Sequence, residues 1–320
     1  MKSPQFIPLQ TLDEHMLARE AEAGLQAVPA QIAPKFFYDM LGSHLFDAIT
    51  ELDEYYPTRT EAAIMAEHGQ AIVTAALRHT GEHPLLVDLG AGSCAKAARL
   101  LPALAPRRYV AVDISAQFLR TAMQSLQREH PLLDMVGVEL DFSRRLALPP
   151  DLVESPALLF YPGSSIGNFA PEDALRLLRE AREASHHGAL LIGADLVKPK
   201  ALLEAAYDDG LGVTAAFNLN VLRHLNRLLG ADFDVRDWHH VARFDDDVSR
   251  IEMHLCARDA LTVRWRGGER RFVSGETIHT ENSYKWQVEA FGDLLLKAGW
   301  RDVQCWTDAQ RWFGVFVAKA

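Results

Sequence analysis

Gly90 and Gly92 punctuate the run LLVDLGAGSCAKAARLLPALAPRRYVAVD at 85–113, and Asp113 follows Gly90 by twenty-three residues. Glycine lets the backbone turn sharply out of a strand and approach a ligand where a Cβ would collide. A helix beginning after such a turn offers its N-terminal N–H groups to whatever sits there. An acidic side chain at the distance of Asp113 can accept both hydroxyls of a ribose. These are the parts of a site for an adenosine-bearing cofactor, and two ligands satisfy them. With Ala95 in the third glycine position, the run fits the permissive G-x-G-x-x-G/A pattern of dinucleotides such as NAD. The carboxylate of Asp88 at the strand end suits the sulfonium of S-adenosylmethionine instead, and repels a pyrophosphate.

The elements needed to hold these residues are present in the pattern. Strand 85–89, helix 94–101, strand 108–113, helix 115–128, strands 135–140 and 157–161, helix 171–184 and strand 189–196 follow one another. Such alternation predicts an α/β chain with a parallel sheet and right-handed crossovers. Ligands on these sheets sit at the carboxyl ends of the strands, where Asp88, Asp113, Asp141, Tyr161 to Asn168 and Asp195 fall. From Leu12 to about His79 the pattern is helical, broken by Pro29, Pro34 and Pro57, and no strand is expected before Leu85. After Lys198 the rhythm changes to a helical stretch over 200–230, then to strands in RIEMHLCA, LTVRWRG and RRFVSG. This block is too long for a loop in a compact domain and reads as a structured insertion. Helix 286–298 and strands 301–306 and 312–318 resume the sheet pattern, and Ser283 is placed to cap that helix.

Composition narrows the partners. The 320 residues carry 33 basic and 43 acidic side chains, a net charge of −10 with no basic block, which argues against nucleic acid and against an anionic membrane. Cys94, Cys256 and Cys305 show neither disulfide nor metal spacing, as expected in a reducing cytoplasmic setting. The first residues have no apolar core of signal-peptide length. His239–His240 and Asp245–Asp247 are adjacent in sequence, and adjacent residues rarely chelate together, so no metal site is expected. Ser165 in GSSIG matches a nucleophile elbow formally, but the next helical pattern waits until Pro171, which argues against a hydrolase.

Five stretches point further: EYYPTRTE at 54–61, FYPGSSIGNF at 160–169, AYDDGLGVTAAFNLNVLRHLN at 206–226, RIEMHL at 250–255 and HTENSYKW at 279–286. Together they resemble the histidine-specific Nα-methyltransferases of ergothioneine biosynthesis, called EgtD in bacteria. The likeness extends from about residue 30 to the C-terminus. It implies a Rossmann-like, seven-stranded S-adenosylmethionine-dependent methyltransferase fold with a second, mixed α+β substrate domain. Residues 1–65 plus 198–285 would form the substrate-binding lid, and 66–197 plus 286–320 the cofactor domain. It implies a monomer acting on a small molecule, L-histidine.

The resemblance also distributes roles. It implies that S-adenosylmethionine is held by Gly90, Lys96, Asp113 and the pair Asp141–Phe142, to which the reading of the turn itself adds Gly92 and, at the strand end, Asp88. Lys96 would meet the donor's carboxylate and Asp141 the adenine amino group. Asn168 and Tyr207 match positions that grip the amino acid's carboxylate. Tyr55 and Tyr38 match pocket tyrosines, Tyr38 being near the amine and a candidate to assist proton removal. Glu281 and Ser283 match the pair that reads the imidazole, with Met253 at the ring's side. An indole would want an apolar wall instead, so Met253 and Glu281 favour histidine over tryptophan.

Overall fold

The computed structural model describes residues 2–9 and 14–320. The chain opens with β1 (Gln5–Pro8), α1 (Glu14–Gln26) and β2 (Ala30–Gln31), then a 3-10 turn at Pro34–Phe37, α2 (Met40–Thr50) and α3 (Tyr56–Thr80). The alternating region follows as β3 (Leu85–Leu89), α4 (Ala95–Leu104), β4 (Arg108–Asp113), α5 (Ala116–Glu129) and β5 (Asp134–Glu139). It continues through β6 (Ala157–Tyr161), a 3-10 turn at Ser165–Asn168, α6 (Pro171–Ala184) and β7 (Ala189–Asp195). Next come α7 (Lys200–Tyr207), α8 (Val213–Leu229), β8 (Trp238–Asp245), β9 (Arg250–Ala257), β10 (Leu261–Trp265), β11 (Gly268–Phe272) and β12 (Thr277–Tyr284). The chain closes with α9 (Val288–Lys297), β13 (Arg301–Thr307) and β14 (Phe313–Lys319).

Two compact units share these elements. Unit 1 is Met1–Gln10, Pro57–Val197 and Lys285–Ala320; unit 2 is Thr11–Tyr56 and Lys198–Tyr284. Among the described residues, unit 1 holds an eight-stranded sheet in the order β1-β5-β4-β3-β6-β7-β14-β13. β1 through β7 within it run parallel, while β14 runs antiparallel to both β7 and β13. Every residue of β3, β6 and β7 is buried, as a sheet covered on both faces requires. One face packs Ile64, Ile72, Leu100, Leu101 and Met123 from α3, α4 and α5; the other packs Leu177, Leu178, Phe291 and Leu295 from α6 and α9. Strand order reverses at β3, with β4 on one side and β6 on the other, which is where a doubly wound sheet opens a crevice for a ligand.

The expectation of no strand before Leu85 is corrected by β1 and β2. Both are too short to display an alternation, four and two residues, and their partners β5 and β12 lie far along the chain. Leu12, where helical pattern was expected to begin, lies outside the described residues. α3 runs unbroken from Tyr56 because Pro57 occupies its first turn, where the missing N–H costs nothing.

Unit 2 centres on a four-stranded sheet, β2-β12-β9-β8, with β10 and β11 forming a separate hairpin. The expected helical stretch over 200–230 is two helices. Gly212 at φ +76° ends the linker, and Asp209 accepts from the N–H groups of Val213 and Thr214 at 3.0 and 2.7 Å, capping α8. Ser283 is inside β12 rather than capping α9, whose cap residue is Gln287. Among the described residues, no helix is long and apolar enough to cross a membrane.

Candidate active site

At the carboxyl end of β3 the chain leaves the sheet through Gly90 and Gly92, at φ +69° and +51°, a conformation that L side chains avoid. Asp113, at the end of β4, holds this turn: its Oδ2 accepts from Gly92 N at 2.9 Å and its Oδ1 from Ser115 N at 2.8 Å. Burial raises its pKa, against the lowering effect of those backbone donors. Each carboxylate oxygen has a second lone pair, so the same side chain keeps capacity to accept a ribose hydroxyl. Phe142 is half-buried, edge-on to Tyr161 at 5.8 Å, and its Cζ lies 3.8 Å from where a Cβ on Gly90 would stand. Beside it, buried Asp141 accepts from Ser143 N at 3.2 Å and from the Ser143 hydroxyl.

Asp88 differs from its expected setting as an open carboxylate beside the turn. It is 1% exposed, and its Oδ2 accepts from the Tyr109 hydroxyl at 2.8 Å. Oδ1 has no hydrogen-bond partner among the described residues. Burial pushes the carboxyl up to about 7; the Tyr109 bond and Lys96 oppose this, while the charges of Asp113 and Glu61 add to it. At this burial the Asp88 side chain offers no surface for direct contact, so any influence on a ligand would be through its field.

Lys96, in the first turn of α4, pairs through Nζ with Glu61 Oε2 at 2.7 Å. The other Glu61 oxygen accepts from Gly163 N at 2.9 Å, just beyond β6. Asn168, half-buried, ends the 3-10 turn of that same loop. Unit 1 thus gathers a glycine turn, a ribose-type acid, an aromatic face and an ion pair. An adenosine-bearing methyl donor fits this set: Asp88 favours a nearby cation, and the basic group at the turn, Lys96, is already neutralised by Glu61, which does not suit a pyrophosphate.

Unit 2 assembles the remaining predicted residues. Tyr38 lies edge-on to Phe46 and to Phe217, each at 5.9 Å between ring centroids. Phe46 stands 6.2 Å from Tyr55, and Tyr55 lies 6.3 Å from Tyr207, so five rings form a connected cluster. The Tyr207 hydroxyl donates to Ser283 Oγ at 2.7 Å. Glu281 pairs directly with Met253 across β12 and β9, so both side chains share a face, and Ser283 follows on that face opposite Ile251. A bulge between His279 and Glu281 makes this so by taking up Thr280, whose hydroxyl donates to Met253 O at 3.0 Å. Without it, Thr280 and Asn282 would take the places of Glu281 and Ser283.

Behind Tyr207, His240 donates through Nε2 to the Tyr207 carbonyl at 2.7 Å while its Nδ1 accepts from Asn218 Nδ2 at 2.8 Å. Asn218 also donates to the His254 carbonyl at 3.0 Å, which fixes its amide orientation and hence the neutral tautomer of His240. Burial lowers the His240 pKa in the same sense. Sequence reasoning missed Phe46, Phe217, Asn218, His240 and Glu61. Phe217, Asn218 and Glu61 lie inside stretches that carried the resemblance, His240 was weighed only as a metal ligand, and Phe46 has no local signal.

Residues 17–320 match a family model described as histidine-specific methyltransferase, SAM-dependent. A histidine N-alpha-methyltransferase from Mycolicibacterium smegmatis is 41% identical over 309 residues, covering 94% of each chain. Ergothioneine biosynthesis protein 1 from Neurospora crassa is 30% identical over 302 residues, 91% of this chain and 33% of that protein. Among solved structures, magnesium protoporphyrin IX methyltransferase from Synechocystis with bound SAH aligns at TM-score 0.47 and 10% identity, covering 89% of this chain and 97% of that one.

Proposed function

Because this chain belongs to the histidine-specific, S-adenosylmethionine-dependent methyltransferase family, we propose that residues of unit 1 hold the methyl donor and that the acceptor is selected by residues of unit 2 together with Asn168 of unit 1. The protein transfers methyl groups from S-adenosylmethionine to the α-amino nitrogen of L-histidine, up to three times, giving Nα,Nα,Nα-trimethyl-L-histidine (hercynine), the first step of ergothioneine biosynthesis.

When bound, the donor supplies a methyl group on a sulfonium, electrophilic enough to need no covalent enzyme intermediate. Gly90 and Gly92 allow its close approach, Asp113 takes the ribose hydroxyls, Asp141 the adenine amino group, and Phe142 the face of the base. Lys96 meets its carboxylate. Asn168 and Tyr207 grip the carboxylate of histidine, Tyr55 lines its pocket, and Met253 flanks the imidazole that Glu281 and Ser283 read. The observation that carries this reading is the shared face of Met253, Glu281 and Ser283, with Ser283 bonded to Tyr207. An ammonium has no lone pair, so the acceptor must shed a proton before each transfer. The ring cluster of Tyr38, Phe46, Tyr55 and Phe217 disfavours the small charged amine by desolvation, and its aromatic faces tolerate the final fixed cation. Tyr38, or a water it orients, assists the proton's departure.

Mass spectrometry of an amino-acid panel incubated with the protein and S-adenosylmethionine tests the assignment. Three methyl masses on histidine alone are expected; preferential gain on tryptophan would overturn it. Tyr38→Phe is expected to lower the rate and shift its pH profile, and an unchanged rate and profile would remove Tyr38 from the mechanism. The chain is further read as a cytoplasmic monomer, with Cys94, Cys256 and Cys305 outside any disulfide. A dimer in analytical ultracentrifugation would contradict the monomer.

A further inference from the structure

The YPTRTE stretch contributes a residue that the roles above leave unused. Glu61 is 7% exposed, on α3, and joins two distant parts of the donor side: Oε2 to Lys96 Nζ at 2.7 Å and Oε1 to Gly163 N at 2.9 Å. The pair is built in closely. A Cβ on Gly193 would collide with Glu61 Oε1, and one on Gly163 would stand 2.7 Å from Lys96 Nζ. Lys96 is nonetheless one-third exposed, with a side-chain accessibility of 33%. A carboxylate has about four lone-pair sites and an ammonium three N–H donors, so each partner has hydrogen-bonding capacity beyond these contacts.

An ion pair at this place is a dipole with no net charge. The amino-acid end of the methyl donor is a dipole too, an α-ammonium and an α-carboxylate on one carbon. We propose that Glu61 and Lys96 form a two-pronged clamp for that zwitterion, Lys96 taking the carboxylate and Glu61 the α-ammonium, while Glu61 also fixes the loop after β6 through Gly163. This rests on the methyl-donor reading of unit 1 and adds to it a residue for the donor's amine. The clamp explains why a basic residue at the turn is paired with a buried acid: alone, Lys96 favours any anion, whereas the pair demands both charges at once.

Calorimetric titration with S-adenosylhomocysteine, its deaminated analogue, its decarboxylated analogue and 5′-methylthioadenosine tests the proposal. Glu61→Gln retains an acceptor for Gly163 N but loses the charge. It is expected to weaken S-adenosylhomocysteine binding roughly tenfold or more, as the loss of a charge-assisted bond does. The deaminated analogue and methylthioadenosine should bind it as they bind wild type. Lys96→Met gives the mirror pattern, sparing only the decarboxylated analogue and methylthioadenosine. With Glu61→Gln, KM for S-adenosylmethionine rises and kcat changes little. Undiminished S-adenosylhomocysteine binding by Glu61→Gln overturns the clamp, and so does an equal loss on all four ligands, which marks a purely structural role. Failure of wild type to bind any of the four would overturn the donor assignment itself, and the clamp with it.

Discussion

Ser283 accepts from the Tyr207 hydroxyl, and Glu281 lies on the same face of β12; a hydroxyl can donate as well as accept, whereas a carboxylate accepts. One donor and one acceptor match a neutral imidazole, which carries one N–H and one bare nitrogen. Glu281→Ala removes the acceptor and is expected to weaken histidine binding by roughly ten- to hundredfold, the range for a charge-assisted bond, and to loosen side-chain selectivity. Intact histidine affinity by calorimetry would remove Glu281 from recognition. Asp88 supplies a pH dependence. Its carboxyl is raised from the ordinary 3.8 to about 7, so between those values the folded chain binds the proton more tightly than the unfolded one. Its contribution to stability is therefore complete below the unfolded value and lost as pH rises through about 7. The same ionisation strengthens the field acting on a sulfonium, so the affinity ratio of S-adenosylmethionine to S-adenosylhomocysteine should rise through that range. Asp88→Asn should flatten both curves, and a ratio that climbs equally in the variant would assign the titration to another group.

At the scale of elements, the strands and helices from Leu85 to Asp195 were legible because each buries one repeating pattern against neighbours close in sequence. The acceptor side was less so, and β12 shows why. Alternation counted from Ile278 would place Thr280 and Asn282 on the face that Glu281 and Ser283 occupy; the bulge at Thr280 shifts the count, and a bulge leaves no periodic trace. Glu281 and Ser283 were thus singled out by resemblance, while the pattern alone offered Ser283 as a helix cap. Asn218 was missed for a related reason, since its value lies in joining α8 to β8 and β9. Asn218→Leu would strand His240 Nδ1 and the His254 carbonyl. It is expected to cost about 1–3 kcal/mol in denaturant unfolding and to raise KM for histidine, because His240 anchors Tyr207. The residues proposed for the donor belong to unit 1, so S-adenosylhomocysteine affinity should hold in that variant; a loss there equal to the loss for histidine would mean general disruption instead.

At the scale of the whole molecule, neither unit is a continuous stretch of chain. Residues near position 30 pair with β12, and residues near position 5 pair with β5, so both sheets draw a strand from the first tenth of the sequence. Such long-range pairings form only after large loop-closure costs, and they hide from any local reading of composition or period. β1 has a further consequence. It covers the outer rim of β5, whose Met135, Val136 and Val138 are buried, and itself ends in Pro8, which has no N–H to offer a further strand. Arg120 lies over the Phe6 ring at 4.4 Å, holding the cover in place. A chain beginning at residue 10 should therefore retain its donor-binding residues yet scatter light increasingly with concentration, where the full chain stays clear. A short strand with no assigned part in methyl transfer would then be what keeps the protein from sticking to itself.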